Sequence, residues 1–146
     1  MSDKLKINDF VVRFANVNGT GSASANLLFC KAIFRMGIPV TPKNIFPSNI
    51  QGLPTWYEVR VSEKGYLGRR EGIDILVSVN PQSMAKDVQS VKEGGYFIYD
   101  STKKLNPEFY REGIQYLGVP MMEMANRAFE DPRKRQLLKN IIYVGA

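Results

Sequence analysis

The sequence predicts an α/β fold: Rossmann-like, with a mostly parallel sheet and helices on both faces. Three observations carry this. A β-branched, aromatic segment runs into a glycine-rich loop and then an apolar helical stretch, which together form the first half of a βαβ unit. Later apolar strand segments alternate with helical ones. Glycine and proline punctuate the joins, with no repeat or low-complexity stretch.

The first strand is Phe10-Val11-Val12-Arg13-Phe14-Ala15-Asn16-Val17. After the loop Asn18-Gly19-Thr20-Gly21-Ser22, a helix is expected over Ala23 to Met36 and ends at Gly37. It is apolar on most sides, which predicts a buried helix. Residues 38–50 hold Pro39, Pro42 and Pro47; a short strand near Ile38–Val40 and then extended loop is the expectation. Trp56 to Ser62 alternates large apolar with polar groups, as a strand with one wet face would.

Ile73 to Val79 is the strongest strand signal. It leads through Asn80-Pro81 to a helix over Ser83–Val91, with Ser83 as its N-cap. Gly94-Gly95 breaks the chain before strand Tyr96–Asp100. A short strand follows at Gln115–Val119. Pro120 opens a helix to Phe129, and a last helix starts after Pro132. Leu137, Leu138, Ile141, Ile142, Tyr143 and Val144 make an apolar end that needs a cover, from further chain or from another subunit.

The 146 residues suit one domain, 1–146, and the mixture of 44% hydrophobic with 23% charged residues is that of a globular protein. One cysteine and no histidine fit a reducing, cytoplasmic setting. They leave no Ser-His-Asp or Cys-His apparatus, no Cys/His zinc set and too few thiolates for an iron–sulfur cluster held by this chain alone. No apolar run is long enough to cross a membrane, and no signal peptide is visible. The net charge of +6 is dispersed. Arg69-Arg70 and Arg133-Lys134-Arg135 adjoin acids and lack interleaved aromatics, so they read as solvated faces or subunit contacts before nucleic-acid contacts.

The glycine-rich loop is the leading candidate site. A helix N-terminus presents free N–H groups and partial positive charge to phosphate or carboxylate, and Thr20 and Ser22 add hydroxyls. The run Gly19-x-Gly21-x-x-Ser24 lacks the third glycine of the dinucleotide fingerprint. No acid lies between Asp9 and Glu58 to hold a ribose, and Lys31 is too late for a P-loop. The residues alone leave a bare strand-to-helix turn and a ligand loop both open. Ser48 to Thr55, with Asn49, Gln51 and Gly52, is a polar loop that reads as either a contact loop or a plain connection. Trp56 and Tyr57 read as core before interface anchors, and so do Met121, Met122 and Met124. Asp74, Asp100 and Glu123 lack the spacing of an acid–base pair, so no catalytic residue is nominated.

The run Asn18 to Asn26, with Phe34-Arg35-Met36-Gly37, Pro47 to Ser62, Ala125-Asn126-Arg127-Ala128-Phe129 and Asn140 to Ala146, resembles the gamma-type domain of 2-oxoacid:ferredoxin oxidoreductases. The form is that fused at the N-terminus of the alpha subunit in two-subunit 2-oxoglutarate enzymes. Separate gamma subunits carry a fuller Gly-x-Gly-Gly-x-Gly run and an Arg-Gly-Gly, where this chain has Gly19-Thr20-Gly21-Ser22 and Gln51-Gly52-Leu53-Pro54. The resemblance implies a holoenzyme that decarboxylates a 2-oxoacid with thiamine diphosphate. It would pass electrons through iron–sulfur clusters to ferredoxin and form an acyl-coenzyme A. It further implies that this domain holds neither thiamine nor clusters, that it packs beside the active centre and helps with coenzyme A and assembly, and that the chain continues beyond Ala146. On that reading the cofactor-facing candidates are Asn18, Gly19, Thr20, Gly21, Ser22, Asn49, Gln51 and Gly52. An independent nucleotide- or coenzyme A-binding module is the alternative.

Overall fold

The computed structural model describes residues 7–46, 54–68 and 70–146. Among them the chain forms β1 (Asp9–Val17), α1 (Ser22–Arg35), β2 (Val40–Ile45), β3 (Pro54–Ser62), β4 (Ile73–Ser78), α2 (Met84–Ser90), β5 (Val91–Asp100), a 3-10 turn (Pro107–Phe109), β6 (Gln115–Val119), α3 (Met121–Ala128) and α4 (Pro132–Gly145). One six-stranded sheet runs β2-β3-β1-β4-β5-β6. The pairs β1/β4, β4/β5 and β5/β6 are parallel. β3 is antiparallel to both β1 and β2, so it alone of these strands is reversed. The expected mostly parallel α/β sheet is observed.

Strand alternation divides the core between two faces. On one, Val12, Phe14, Tyr57, Val59, Val61, Val77 and Ile98 pack with Ala25 and Cys30 of α1, Met121 of α3 and Tyr143 of α4. On the other, Val11, Ala15, Leu76 and Phe97 pack with Val88 of α2. Helices cover both faces, unequally.

Cys30 is buried with its thiol 3.4 Å from the Tyr57 hydroxyl. Burial pushes the thiol pKa up, against the lowering effect of that contact. An aromatic disulfide reagent is therefore expected to leave the native protein unlabelled and to react after denaturation. Rapid labelling of native protein would contradict this placement.

Several expectations need correction. Helix α1 is not buried on most sides: Phe34 is 68% and Leu28 50% exposed, because α4 and the sheet cover only the stripe through Ala25, Asn26 and Cys30. The expected loop after Val40 is an edge strand as far as Ile45, and the part of that expectation over 47–50 lies outside the described residues. Pro42 is tolerated because β2 lies at the edge of the sheet among the described residues. The polar face of β3 is not wet. Glu58, Arg60 and Ser62 are buried, and Arg13 of β1 donates to Glu58 Oε2 through Nη2 at 2.6 Å and Nε at 3.1 Å. Gly94-Gly95 does not end a segment. β5 runs on from Val91, and the glycines sit where its register with β4 shifts. Pro120 stands just ahead of α3 rather than inside its first turn.

The apolar C-terminal segment is partly covered by the chain itself. Tyr143 is buried and Ile142 and Val144 pack on the core, while Leu137 and Ile141 stay exposed. Of the methionines, Met121 is core and Met124 is exposed. No helix among the described residues is long and apolar enough to cross a membrane.

Candidate functional site

In an open parallel sheet, ligands bind beyond the carboxyl ends of the strands, where successive connections leave toward opposite faces. That point here lies between β1 and β4. From β1 the chain leaves through the glycine loop into α1 on one face; from β4 it leaves through Val79-Asn80-Pro81 into α2 on the other. Val79 N donates to Ala15 O at 3.1 Å and Asn80 Nδ2 to Asn16 O at 3.2 Å, tying the two exits together. Asn16 Oδ1 is a buried oxygen without a hydrogen-bond partner at this same edge.

The glycine loop is built from within. Thr20 Oγ1 donates to Val17 O at 2.8 Å, so this hydroxyl closes the turn. Gly21 is the N-cap of α1 at φ +76°, a left-handed conformation that glycine adopts without strain. It gives no side-chain cap, and the first turn has no acid. The leading N–H groups of α1 therefore lack the usual internal acceptor. Asn18, Gly19, Gly21, Ala23 and Ser24 are exposed and Ser22 is half-buried. Of the predicted site residues, the structure thus brings Asn18 to Ser22 together. Asn49, Gln51 and Gly52 lie outside the described residues. The strand that follows them starts at Pro54, which is paired with Val17, directly before the glycine loop.

Sequence reasoning missed the role of α4. Asn140 is buried and donates from Nδ2 to Thr20 O at 2.8 Å, and its neighbour Lys139 pairs with Asp100 Oδ2 at 3.0 Å. One helix thereby grips both the loop after β1 and the end of β5. A lone asparagine on the buried stripe of an apolar helix was the available signal. Asp100 also accepts from Thr102 N at 3.1 Å and Thr102 Oγ1 at 2.7 Å through Oδ1. Burial pushes its pKa up, but the bonds from Thr102 and Lys139 outweigh burial and hold the carboxyl below the usual aspartate value.

Asp87 was missed as well. It is buried, and it accepts from Trp56 Nε1 at 2.8 Å, Ser83 Oγ at 2.7 Å and Ser78 Oγ at 3.1 Å. Ser83 sits at the N-cap position of α2, but its hydroxyl serves Asp87 rather than a backbone N–H. Trp56 is thus pinned in the core layer, as the core reading expects. The acids nearest apolar segments have structural duties. Asp74 accepts from Val11 N and pairs with Lys92, and Glu123 pairs with Arg127 at 2.5 Å. No group of three or more His, Cys, Asp or Glu among the described residues is placed to hold a metal ion.

A model of the family "Pyruvate ferredoxin/flavodoxin oxidoreductase" matches residues 11–146. The chain belongs to this family. A curated relative is subunit alpha of 2-oxoacid:ferredoxin oxidoreductase 2 from Aeropyrum pernix, 21% identical over 124 residues, or 85% of this chain and 19% of that subunit. The 2-oxoglutarate:ferredoxin oxidoreductase from Magnetococcus marinus, solved with 2-oxoglutarate, coenzyme A and succinyl-CoA bound, is similar at 25% identity and a TM-score of 0.82. That match covers 97% of this chain and 24% of the other. The gamma subunit of a keto/oxoacid ferredoxin oxidoreductase from Geobacter sulfurreducens shares the fold at 21% identity and a TM-score of 0.71, over 93% of this chain and 73% of that one. The family chain described here thus spans about one fifth of its curated relative and a quarter of the Magnetococcus chain.

Proposed function

We propose that residues 1–146 are a single gamma-type domain, non-catalytic by itself, of a thiamine-dependent 2-oxoacid:ferredoxin oxidoreductase. Its enzyme oxidatively decarboxylates a 2-oxoacid such as 2-oxoglutarate to the acyl-coenzyme A and reduces ferredoxin in the cytoplasm. The observation that carries this reading is the family match over 11–146, joined to a Magnetococcus neighbour that is four times longer and holds coenzyme A. Thiamine diphosphate and the iron–sulfur clusters belong to the other domains and subunits, in keeping with one cysteine and no histidine in this chain.

Two features support the division of labour. The exposed apolar residues Leu27, Leu28 and Phe34 of α1 and Leu137 and Ile141 of α4 give the domain a face suited to packing against the rest of the enzyme. The open N-terminus of α1, with Asn18 to Ser22, suits a phosphate of coenzyme A at the carboxyl edge. The same open helix end would serve the alternative, an independent nucleotide- or coenzyme A-binding module.

Reconstitution tests the reading. The complex with this domain is expected to oxidise a 2-oxoacid in a coenzyme A-dependent way, and one deleted for residues 9–146 is expected to lose that turnover. If the deleted complex assembles and turns over normally, the domain has no such part in the enzyme.

A further inference from the structure

A recess of about 330 Å³ lies away from the glycine loop, on the α2 face of the sheet and toward the amino ends of the parallel strands. That volume is at the lower end of the range of about 300 to 1,000 Å³ that holds whole small molecules. Arg13 comes from β1. Arg70, Glu71 and Gly72 come from the segment leading into β4, Ile73 is the first residue of β4, and Ser90 is the last of α2. Of the two cations, Arg13 is the more buried, its side chain 18% exposed against 39% for Arg70. Both guanidiniums are held in place before any ligand arrives. Glu58 Oε2 accepts from Arg13 Nε at 3.1 Å and Nη2 at 2.6 Å, and Asp9 Oδ2 accepts from Arg70 Nη1 at 3.2 Å. A guanidinium carries five N–H donors, and Glu58 takes only two of those on Arg13. Arg13 Nη1 and Arg70 Nη2 make no hydrogen bond with a described residue.

We propose that this recess binds a small organic acid, its carboxylate held by the remaining N–H groups of Arg13 and Arg70 and its uncharged part lying against Ile73. The planar fork of a guanidinium matches the two oxygens of a carboxylate. Arg13 and Arg70, set against Glu71, leave the lining a single net positive charge, with Glu58 and Asp9 close behind the cations. That balance suits one singly charged carboxylate better than a doubly charged phosphate. The inference is independent of the function proposed above, since the recess and the glycine loop share no residue. The fold also supplies a reporter. Trp56, the sole tryptophan, donates from Nε1 to Asp87 Oδ1, and Arg13 acts electrostatically on Asp87. An acid on Arg13 weakens that field, so binding shifts the emission of Trp56.

The test is calorimetry and Trp56 emission on the protein's full chain at fixed ionic strength, with butyrate, inorganic phosphate and chloride as probes. Butyrate is expected to release or absorb heat and to shift the emission, and chloride to do neither. Arg70→Glu is expected to weaken butyrate binding by about tenfold through the reversed charge. Arg13→Lys keeps a cation for Glu58 and loses the fork, and it is expected to weaken binding as well. Lys103→Glu, the same reversal on the exposed loop after β5 at the opposite rim, is expected to change it less than twofold. If butyrate does no more than chloride, or if Arg70→Glu and Lys103→Glu behave alike, the recess is overturned. If phosphate binds more tightly than butyrate, the carboxylate class is overturned. If butyrate does not bind and Arg70→Glu instead releases the chain from its complex, an acidic side chain of a partner fills the recess and the free-acid proposal is overturned.

Discussion

Gly95→Ala is expected to lower stability more than any other single methyl addition in the sheet, by about 3 kcal/mol. A Cβ on Gly95 would sit 2.8 Å from Lys92 O, 2.9 Å from Asp74 O and 2.7 Å from Val91 Cγ1. Two of those atoms are backbone, Asp74 O on the paired strand β4 and Lys92 O on β5 itself, so relief requires the strands to part and the β5 backbone to shift as well. Asp74 also accepts from Val11 N, and displacing it disturbs β1 as well. Gly21→Ala is the useful contrast. There the close atom is Leu137 Cδ2 at 2.7 Å, the tip of an exposed side chain that can swing away. What remains is the left-handed backbone, worth about 1–2 kcal/mol. Urea unfolding of both variants checks the ranking. If Gly95→Ala proves the milder, the close strand approach is wrong.

The second large effect is expected at Asp87. Asp87→Ala leaves the Trp56 indole N–H and the Ser78 and Ser83 hydroxyls without their shared acceptor, at about 1–3 kcal/mol for each group that finds no substitute. A loss of about 3–4 kcal/mol is expected, and the emission of Trp56, the sole tryptophan, should shift with it. Asp87→Asn keeps an oxygen for the indole and should lose far less. The aspartate also gives the fold a pH dependence of definite sign. Burial raises its pKa above the ordinary value of 3.8, and the bonds from Trp56, Ser83 and Ser78 offset that only in part. A raised folded pKa means that the folded protein holds this proton more tightly than the unfolded chain. Protonation therefore stabilises the fold, and the contribution is lost as pH rises through the folded pKa. Asp87→Asn should remove that component of the stability–pH curve. An unchanged curve would show that Asp87 is not its source.

Legibility from sequence followed range along the chain. β1, the glycine turn and α1, β4, β6 and the proline-led start of α4 are set by neighbours a few residues apart, and the structure has them where the pattern places them. The reversal of β3 is not a local property. It depends on pairing with β1 and β2 across tens of residues, and nothing in Trp56 to Ser62 states a direction. The polar face of β3 was misread for the same reason. Glu58 and Arg60 look solvated until Arg13 and Asp9, more than 40 residues away, are brought opposite them. At the candidate site, the glycine loop was visible because its chemistry is contiguous. Asn140 and Lys139 were not, because a helix over 110 residues later supplies them. The exposure of Phe34 and Leu28 differs in kind: their apolar character was plain, and the described residues simply do not cover them.

The single reversed strand has a consequence for the economy of the sheet. A strand parallel to β1 would deliver its amino end to the far rim, and reaching the β1 exit would require a full crossover. Because β3 runs backward, the strand before it finishes at Ile45, opposite Trp56, and β3 itself begins at Pro54, opposite Val17. Both ends of that hairpin stand on the rim where the crossover turns also gather. One change of polarity thus brings two more strand ends to that rim without an additional helix.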